Sequence, residues 1–407
     1  MTSLEILMML VSSATLLGYI FASYFRIQPT IAILGLSLVI VLTANIAEPI
    51  TGKLELYNQA SLLIDNTDFK SILMEVMLPI LLFAGAMSMN ANYFKKHASN
   101  ILILAIFSTA ASTLIIGFGF YYLMQLVNVT IDLIYCLLFG ALISPTDPVA
   151  VVGLVKQSNL SPDIEAKIAG ESLFNDGIGI VIFLAIYQVA FGTSGALSPS
   201  SFLYHFLYDA VGGVVVGLIV GNLCQKLISR EVHNTHNHTL ISIFIVTGMY
   251  TLTNQLGMSG PLAVVICGLM MAQQIGQNNH YNPLKHFWES LEEILNMLLY
   301  LLIGFEAFLI PFSSITLIIM TSSIILALFS RVVTIAIPMY FISKRSKITP
   351  KTTRILIWGG LRGGLAVALA LSLPESSETA IIIIATYAVV CFTTIVQGGT
   401  ISKLLQN

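Results

Sequence analysis

Apolar stretches of span length follow one another along almost the whole chain, and that pattern confines the fold to one class. Segments near 4–24, 28–46, 71–89, 98–125, 131–155, 168–190, 203–228, 239–256, 260–274, 286–310, 313–342, 353–373 and 379–402 each approach the ~20 residues a helix needs to cross a bilayer, the 260–274 segment being short. With 56% hydrophobic and 9% charged residues and a mean hydropathy of +0.89, there is too little polar surface to cover a soluble globule of this length. Helices in lipid share one continuous bundle, so the reading is an all-α polytopic membrane protein, a single domain over 1–407 with no soluble C-terminal regulatory domain. The first apolar run lacks a basic flank and contains Glu5, so it reads as a span and not as a cleaved signal.

The positive charges give an orientation. Placing the C-terminus of a thirteen-span chain in the cytoplasm puts fourteen of the eighteen lysines and arginines in inner loops. Only Lys53 and Lys70 then lie outside, and Arg331 and Arg362 fall within spans. Such a bias sets the N-terminus outside and the C-terminus inside. The longest outer loop, about 47–70, carries Glu48, Glu55, Asp65 and Asp68 and reads as a solvated loop. A net charge of -2 points to no nucleic-acid partner.

Within these runs, ionisable groups at membrane depth mark the working site. The segment Ser144-Pro-Thr-Asp-Pro148 sets Asp147 between Pro145 and Pro148, where a helix loses backbone hydrogen bonds. A broken helix leaves free carbonyls, tolerated only against protein or a water-lined cavity, and these with the Thr146 hydroxyl are hard oxygen ligands for a small monovalent cation. The plainer reading is a proline kink capped by Asp147, and the two roles are compatible. In the next span, Ser172 and Asp176 share one helix face while Glu171 and Asn175 share a neighbouring one. Desolvation disfavours a bare carboxylate, so Asp176 reads as a group able to hold either a proton or a cation.

Glu171 needs a partner at that depth, and Arg362 in Gly359-Gly-Leu-Arg-Gly-Gly364 is the expected one, a structural ion pair in a small-residue stretch that lets helices approach closely. Asn254, Glu306 and Arg331 read as structural. His233, His236 and His238 read as a solvated loop, with no acidic or thiol partner to complete a metal site. Cys136, Cys224, Cys267 and Cys391 lie in apolar runs without CxxC spacing and read as packing residues.

Three motifs together, Ser144-Pro-Thr-Asp-Pro-Val-Ala-Val151, Gly170-Glu-Ser-Leu-Phe-Asn-Asp-Gly177 and Gly359-Gly-Leu-Arg-Gly363, resemble the signatures of monovalent cation/proton antiporters of the sodium/proton exchanger branch. Phe287-Trp-Glu-Ser-Leu-Glu-Glu-Ile-Leu-Asn296, Leu301-Leu-Ile-Gly304 and Ser259-Gly-Pro-Leu-Ala-Val264 extend the resemblance over essentially the whole chain. It implies thirteen helices with inverted repeats, two crossing broken helices at the fifth and twelfth spans, and a homodimer. It also implies Asp176 as the exchanged-ion carboxylate, with Thr146, Asp147 and Ser172 as neighbouring ligands of Na+. Asn175 would organise the site, and Glu171 would pair with Arg362. One departure stands out. Several relatives carry an acid directly after the run corresponding to Leu78-Pro-Ile-Leu-Leu-Phe83, where this chain has Ala84, and Glu75 falls near the opposite helix face.

The expected activity is secondary antiport of a monovalent cation, Na+ or Li+, for a proton in a bacterial-type plasma membrane. It would be electroneutral, proceed by alternating access, and need no covalent chemistry and no cofactor. A potassium/proton antiporter is the runner-up. An ion channel or a receptor using the acids structurally is the competing class, separated from an antiporter by whether saturable flux drives protons uphill.

Overall fold

The computed structural model describes residues 3–25, 28–51, 71–89, 91–147, 162–191, 199–230, 235–275, 282–306, 313–343 and 350–401. Helix falls in every one of the apolar segments. In order these are α1 (Ser3–Ile20), α2 (Pro29–Thr51), α3 (Leu78–Ser88, entered through a wide turn at Ile72–Met77), α4 (Ala91–Leu126) and α5 (Leu133–Ile143). There follow α6 (Pro162–Phe191), α7 (Pro199–Arg230), α8 (Thr235–Gln255), α9 (Gly260–Ile275) and α10 (Asn282–Glu306). The last are α11 (Ser314–Ser343), α12 (Pro350–Trp358), α13 (Gly364–Leu371) and α14 (Ser377–Phe392, extended by a wide turn at Thr393–Gln397). Among the described residues six helices are long and apolar enough to cross a membrane, and four shorter apolar helices accompany them.

Local chemistry sets the helix ends. Ser376 caps α14 by accepting from the Thr379 amide at 3.0 Å, with Glu378 in the first turn where the helix dipole favours an acid. Between α8 and α9 the Asn254 side chain accepts from the Gly260 amide at 3.2 Å, and Asn128 turns the chain from α4 to α5 in the left-handed region at φ 58°. Along the spans, Thr253, Thr334 and Thr386 donate to carbonyls one turn back, so these hydroxyls enter the bundle already bonded. His236 and His238 belong to the first turn of α8 and the His238 side chain is buried, which corrects the loop expected there; His233 lies outside the described residues.

Two groups of helices result. One gathers α4, α5, α6, α11, α13 and α14, the other α1, α2, α3, α7, α8, α9 and α10, and packing within each is more extensive than across the seam between them. The tightest joint of the first group is α5 on α4. A Cβ on Gly140 would strike the Thr113 carbonyl oxygen and would lie 3.0 Å from the Gly117 amide nitrogen, while the Phe120 and Phe139 rings meet at 4.6 Å. Backbone approach of this kind holds helices together where lipid supplies no hydrophobic drive.

Substituting Gly140→Ala therefore should cost about 1–3 kcal/mol, because the neighbour in the way is backbone and not a movable side chain. Gly248→Ala, where nothing lies within 4 Å of the new methyl, should leave the protein unchanged or slightly stabilised. Melting temperatures of the two purified variants in detergent check the contrast.

Candidate functional site

Two non-helical stretches lie against each other. Helix α5 ends at Ile143 and the chain runs on without helix through Asp147; Pro148 lies outside the described residues. Helices α12 and α13 are separated by the non-helical Gly359–Gly363. The Asp147 amide donates to the Leu361 carbonyl at 2.7 Å, so the two breaks bond directly, main chain to main chain.

Each break leaves a helix C-terminus with unpaired carbonyls and a partial negative charge. An arginine covers each one. Arg362 donates to the Ser144 carbonyl, and to the Pro145 carbonyl at 2.8 Å, at the end of α5. Arg331, on α11, donates to the Leu356 carbonyl at 3.1 and 3.3 Å, at the end of α12. Space for these groups is made by glycine. A Cβ on Gly360 would run into the Arg331 side chain, and one on Gly363 would lie 2.7 and 2.8 Å from Cβ and Cγ of Asp147.

Glu171 is paired with Arg331 and not with Arg362. Two hydrogen bonds, Nη1 to Oε1 at 2.6 Å and Nη2 to Oε2 at 2.9 Å, make a bidentate fork, and both side chains are sealed, at 1% and 5% exposure. The expected Glu171–Arg362 pair is thus corrected. Both arginines sit at membrane depth within the same bundle, but the Arg362 guanidinium is committed to the carbonyls of the α5 break, leaving the planar fork of Arg331 to match the carboxylate.

From Glu171 a chain of side chains leads to the break. Asn175 Nδ2 donates to Glu171 Oε1 at 2.6 Å and more weakly to Thr146 Oγ1 at 3.4 Å. Thr109 on α4 donates to Asn175 Oδ1 at 2.9 Å, which fixes how the amide is turned. The Thr146 and Ser172 hydroxyls lie 3.0 Å apart. Asp147 accepts from the Tyr300 hydroxyl of α10 at 3.0 Å. Asp176 lies in the combined field of Asp147, Glu171 and Arg362. It keeps partial accessibility, as Asp147 does, while Thr146, Glu171, Ser172 and Asn175 are buried.

Of the residues expected from the sequence, Thr146, Asp147, Glu171, Ser172, Asn175 and Asp176 are brought together, Arg362 joins them through hydrogen bonds to backbone carbonyls and through its charge near Asp176, and Pro145 packs against Gly179 of α6. Arg331, Thr109 and Tyr300 complete the cluster and were not assigned to it. Arg331 had a signal, a charge mid-span; a threonine and a tyrosine in apolar helices carry none. Ala84 is buried and Glu75 is exposed.

Removing either member of the fork should be severe, about 3–5 kcal/mol for a buried pair. In detergent melts, Glu171→Gln with Arg331→Met should be clearly less destabilised than the two single losses added together. The cycle of Glu171→Gln with Arg362→Met should be closer to additive. A larger coupling in the second cycle would return Glu171 to Arg362.

Comparison with known proteins follows the same lines. Residues 11–407 match the family model described as sodium/hydrogen exchanger, transmembrane. The chain is 35% identical to the Na(+)/H(+) antiporter NhaP of Pseudomonas aeruginosa, over 99% of this chain and 96% of that protein. It is 30% identical to the Na(+)/H(+) antiporter NhaH of Halobacillus aidingensis, over 99% and 97%. The structure of the sodium proton antiporter MjNhaP1 from Methanocaldococcus jannaschii at pH 8 shares its fold with a TM-score of 0.77 at 18% identity, covering 100% of this chain and 98% of that one. The chain belongs to the sodium/hydrogen exchanger family.

Proposed function

We propose that this chain is a secondary antiporter that exchanges one Na+, or Li+, for one H+ across the membrane by alternating access. The observation that carries the reading is the charge balance at the two breaks. Arg331 and Arg362 supply two fixed positive charges, and Glu171, Asp147 and Asp176 supply three negative ones when all are ionised. One monovalent cation neutralises the excess, and so does one proton on Asp176. A fully ionised, cation-free site carries a bare charge that is costly to move through the low-dielectric interior. Exchange is coupled because either partner satisfies the same single deficit.

The donors suit a hard monovalent ion. Asp176 and Asp147 supply carboxylate oxygens, and Thr146 and Ser172 hydroxyl oxygens. Asn175 holds the arrangement through Glu171 and Thr109 and stays neutral, so Asp176 is the only carboxylate of that helix turn to change its proton. Asp147, held by Tyr300, remains ionised throughout. The family identity of the relatives, described as Na(+)/H(+) antiporters, supports sodium over potassium as the cation.

In this reading the chain crosses the plasma membrane thirteen times, with the N-terminus outside and the C-terminus in the cytoplasm. The α4–α5–α6 and α11–α12/α13–α14 units, each with its middle helix broken, form the inverted repeat, so the breaks fall on the fifth and twelfth spans. That group moves against the other, which would pair with a second copy of the chain. The exposed apolar row Leu207, Val211, Val215 and Leu218 of α7 is consistent with a lipid or partner contact on the stationary side.

Reconstituted vesicles with an internal pH dye test the reading. Sodium-driven proton flux should saturate, move protons uphill, and keep the same rate when a membrane potential is imposed. Asp176→Asn, which holds neither the cation's charge nor a titrating proton, should be folded and silent. A potential-dependent rate would bring Asp147 into the proton cycle, and substantial flux through Asp176→Asn would remove Asp176 from the centre.

A further inference from the structure

Helix α10 connects the site to the seam between the two helix groups, and the exchange reading leaves its polar face without a role. It is the most strongly amphipathic of the described helices. Near its start Glu289 is spoken for by Lys285 at 3.7 Å and His286 at 3.5 Å. Deeper in, Glu292, Asn296 and Tyr300 follow one another at intervals of four residues. Successive positions differ by about 40° around the axis and rise about 6 Å, so the three lie on one stripe about 12 Å long.

Both ends of that stripe are anchored in space. At the inner end Tyr300 donates to Asp147. At the outer end the half-buried Glu292 carboxylate faces α3 and α6 together: its Oε1, like Leu173 Cδ1, lies 3.8 Å from where a Cβ on Gly85 would stand. Leu173 is next to Ser172 in sequence. Between the two ends Asn296 is 4% exposed, and its Nδ2 is a buried amide nitrogen with no hydrogen-bond partner. An unmet buried donor is destabilising. Packing alone gives no reason to bury an unmet amide nitrogen here, whereas a water or the oxygen of a passing hydrated ion satisfies it.

We propose that Glu292, Asn296 and Tyr300 form the approach by which a hydrated monovalent cation reaches Asp147 from the Lys285 end of α10. Glu292 is the outer carboxylate that attracts the ion, and Asn296 exchanges its amide for water of the ion's shell. Tyr300 holds the receiving carboxylate in place. The assignment rests on the antiport reading. It gives α10 the charge that α3 lacks at Ala84, from a different element and a different direction.

The test uses the full-length protein in liposomes, with initial rates of proton flux over a series of NaCl and LiCl concentrations. At an effective dielectric of ~20 a carboxylate ~12 Å from the site changes cation occupancy by roughly tenfold. Glu292→Gln should therefore raise the apparent KM for Na+ by roughly that factor while the maximal rate stays within about twofold. The shift should shrink when choline chloride raises the ionic strength. Glu292→Asp, which keeps the charge, should retain the original KM, as should Glu75→Gln, an exposed carboxylate away from the stripe. Asn296→Leu should lose rate more than tenfold in a monodisperse protein, with Asn296→Gln largely active.

An unchanged KM in Glu292→Gln, or an equal effect in Glu292→Gln and Glu292→Asp, would overturn the proposal and leave the exchange reading standing. Absence of sodium-driven flux in the unaltered protein would instead defeat the exchange reading itself.

Discussion

Two arginines bonded to the free carbonyls at the ends of two helices make the rest of this structure possible. In lipid a backbone group without a partner costs several kcal/mol, so a helix can open only where something else completes it. Arg362 does this for the end of α5 and Arg331 for the end of α12. Both also oppose the negative ends of the helix dipoles. Once the carbonyls are met, the breaks can press together through the Asp147–Leu361 bond and expose ligand oxygens to one another.

Two buried guanidinium groups impose a second demand, since each needs negative charge nearby. Glu171 answers Arg331 with a bidentate fork, and Asn175 donates to the same carboxylate. The remaining positive charge of Arg362 acts on Asp176, which also lies in the field of Asp147. In the proposed exchange, the excess of one carboxylate over the two arginines is the functional element. It makes the site's preference for a monovalent cation, and its rivalry with a proton, consequences of how the helices are held open.

Much of this was legible in the sequence because breaks in apolar runs are conspicuous. Pro145 and Pro148 around Asp147 announced where one helix fails, the second break came only with the family resemblance because Gly359–Gly364 by itself read as close packing, and the four-residue spacing of Ser172 and Asp176 placed them on one face. What stayed hidden were choices among equals. Arg331 and Arg362 are both mid-span, and nothing in one-dimensional spacing says which points at Glu171; the carbonyls of the α5 break decide it by occupying Arg362. Thr109 and Tyr300 were invisible for another reason. Their roles depend on which helix packs alongside, and a hydroxyl in an apolar run ordinarily bonds its own preceding turn. The placement of Glu292 against Gly85 and Leu173 likewise exists only in three dimensions.

The central claim is a deficit of one charge, filled by either one cation or one proton. Calorimetric titration of the purified protein with NaCl, run at one pH in two buffers of different ionisation enthalpy, counts the protons released as the ion binds. At a pH where the site is protonated before sodium is added, the account predicts one proton released for each Na+ bound, and none from Asp176→Asn. Release of two protons per ion, or binding with no proton release at any pH, would contradict it.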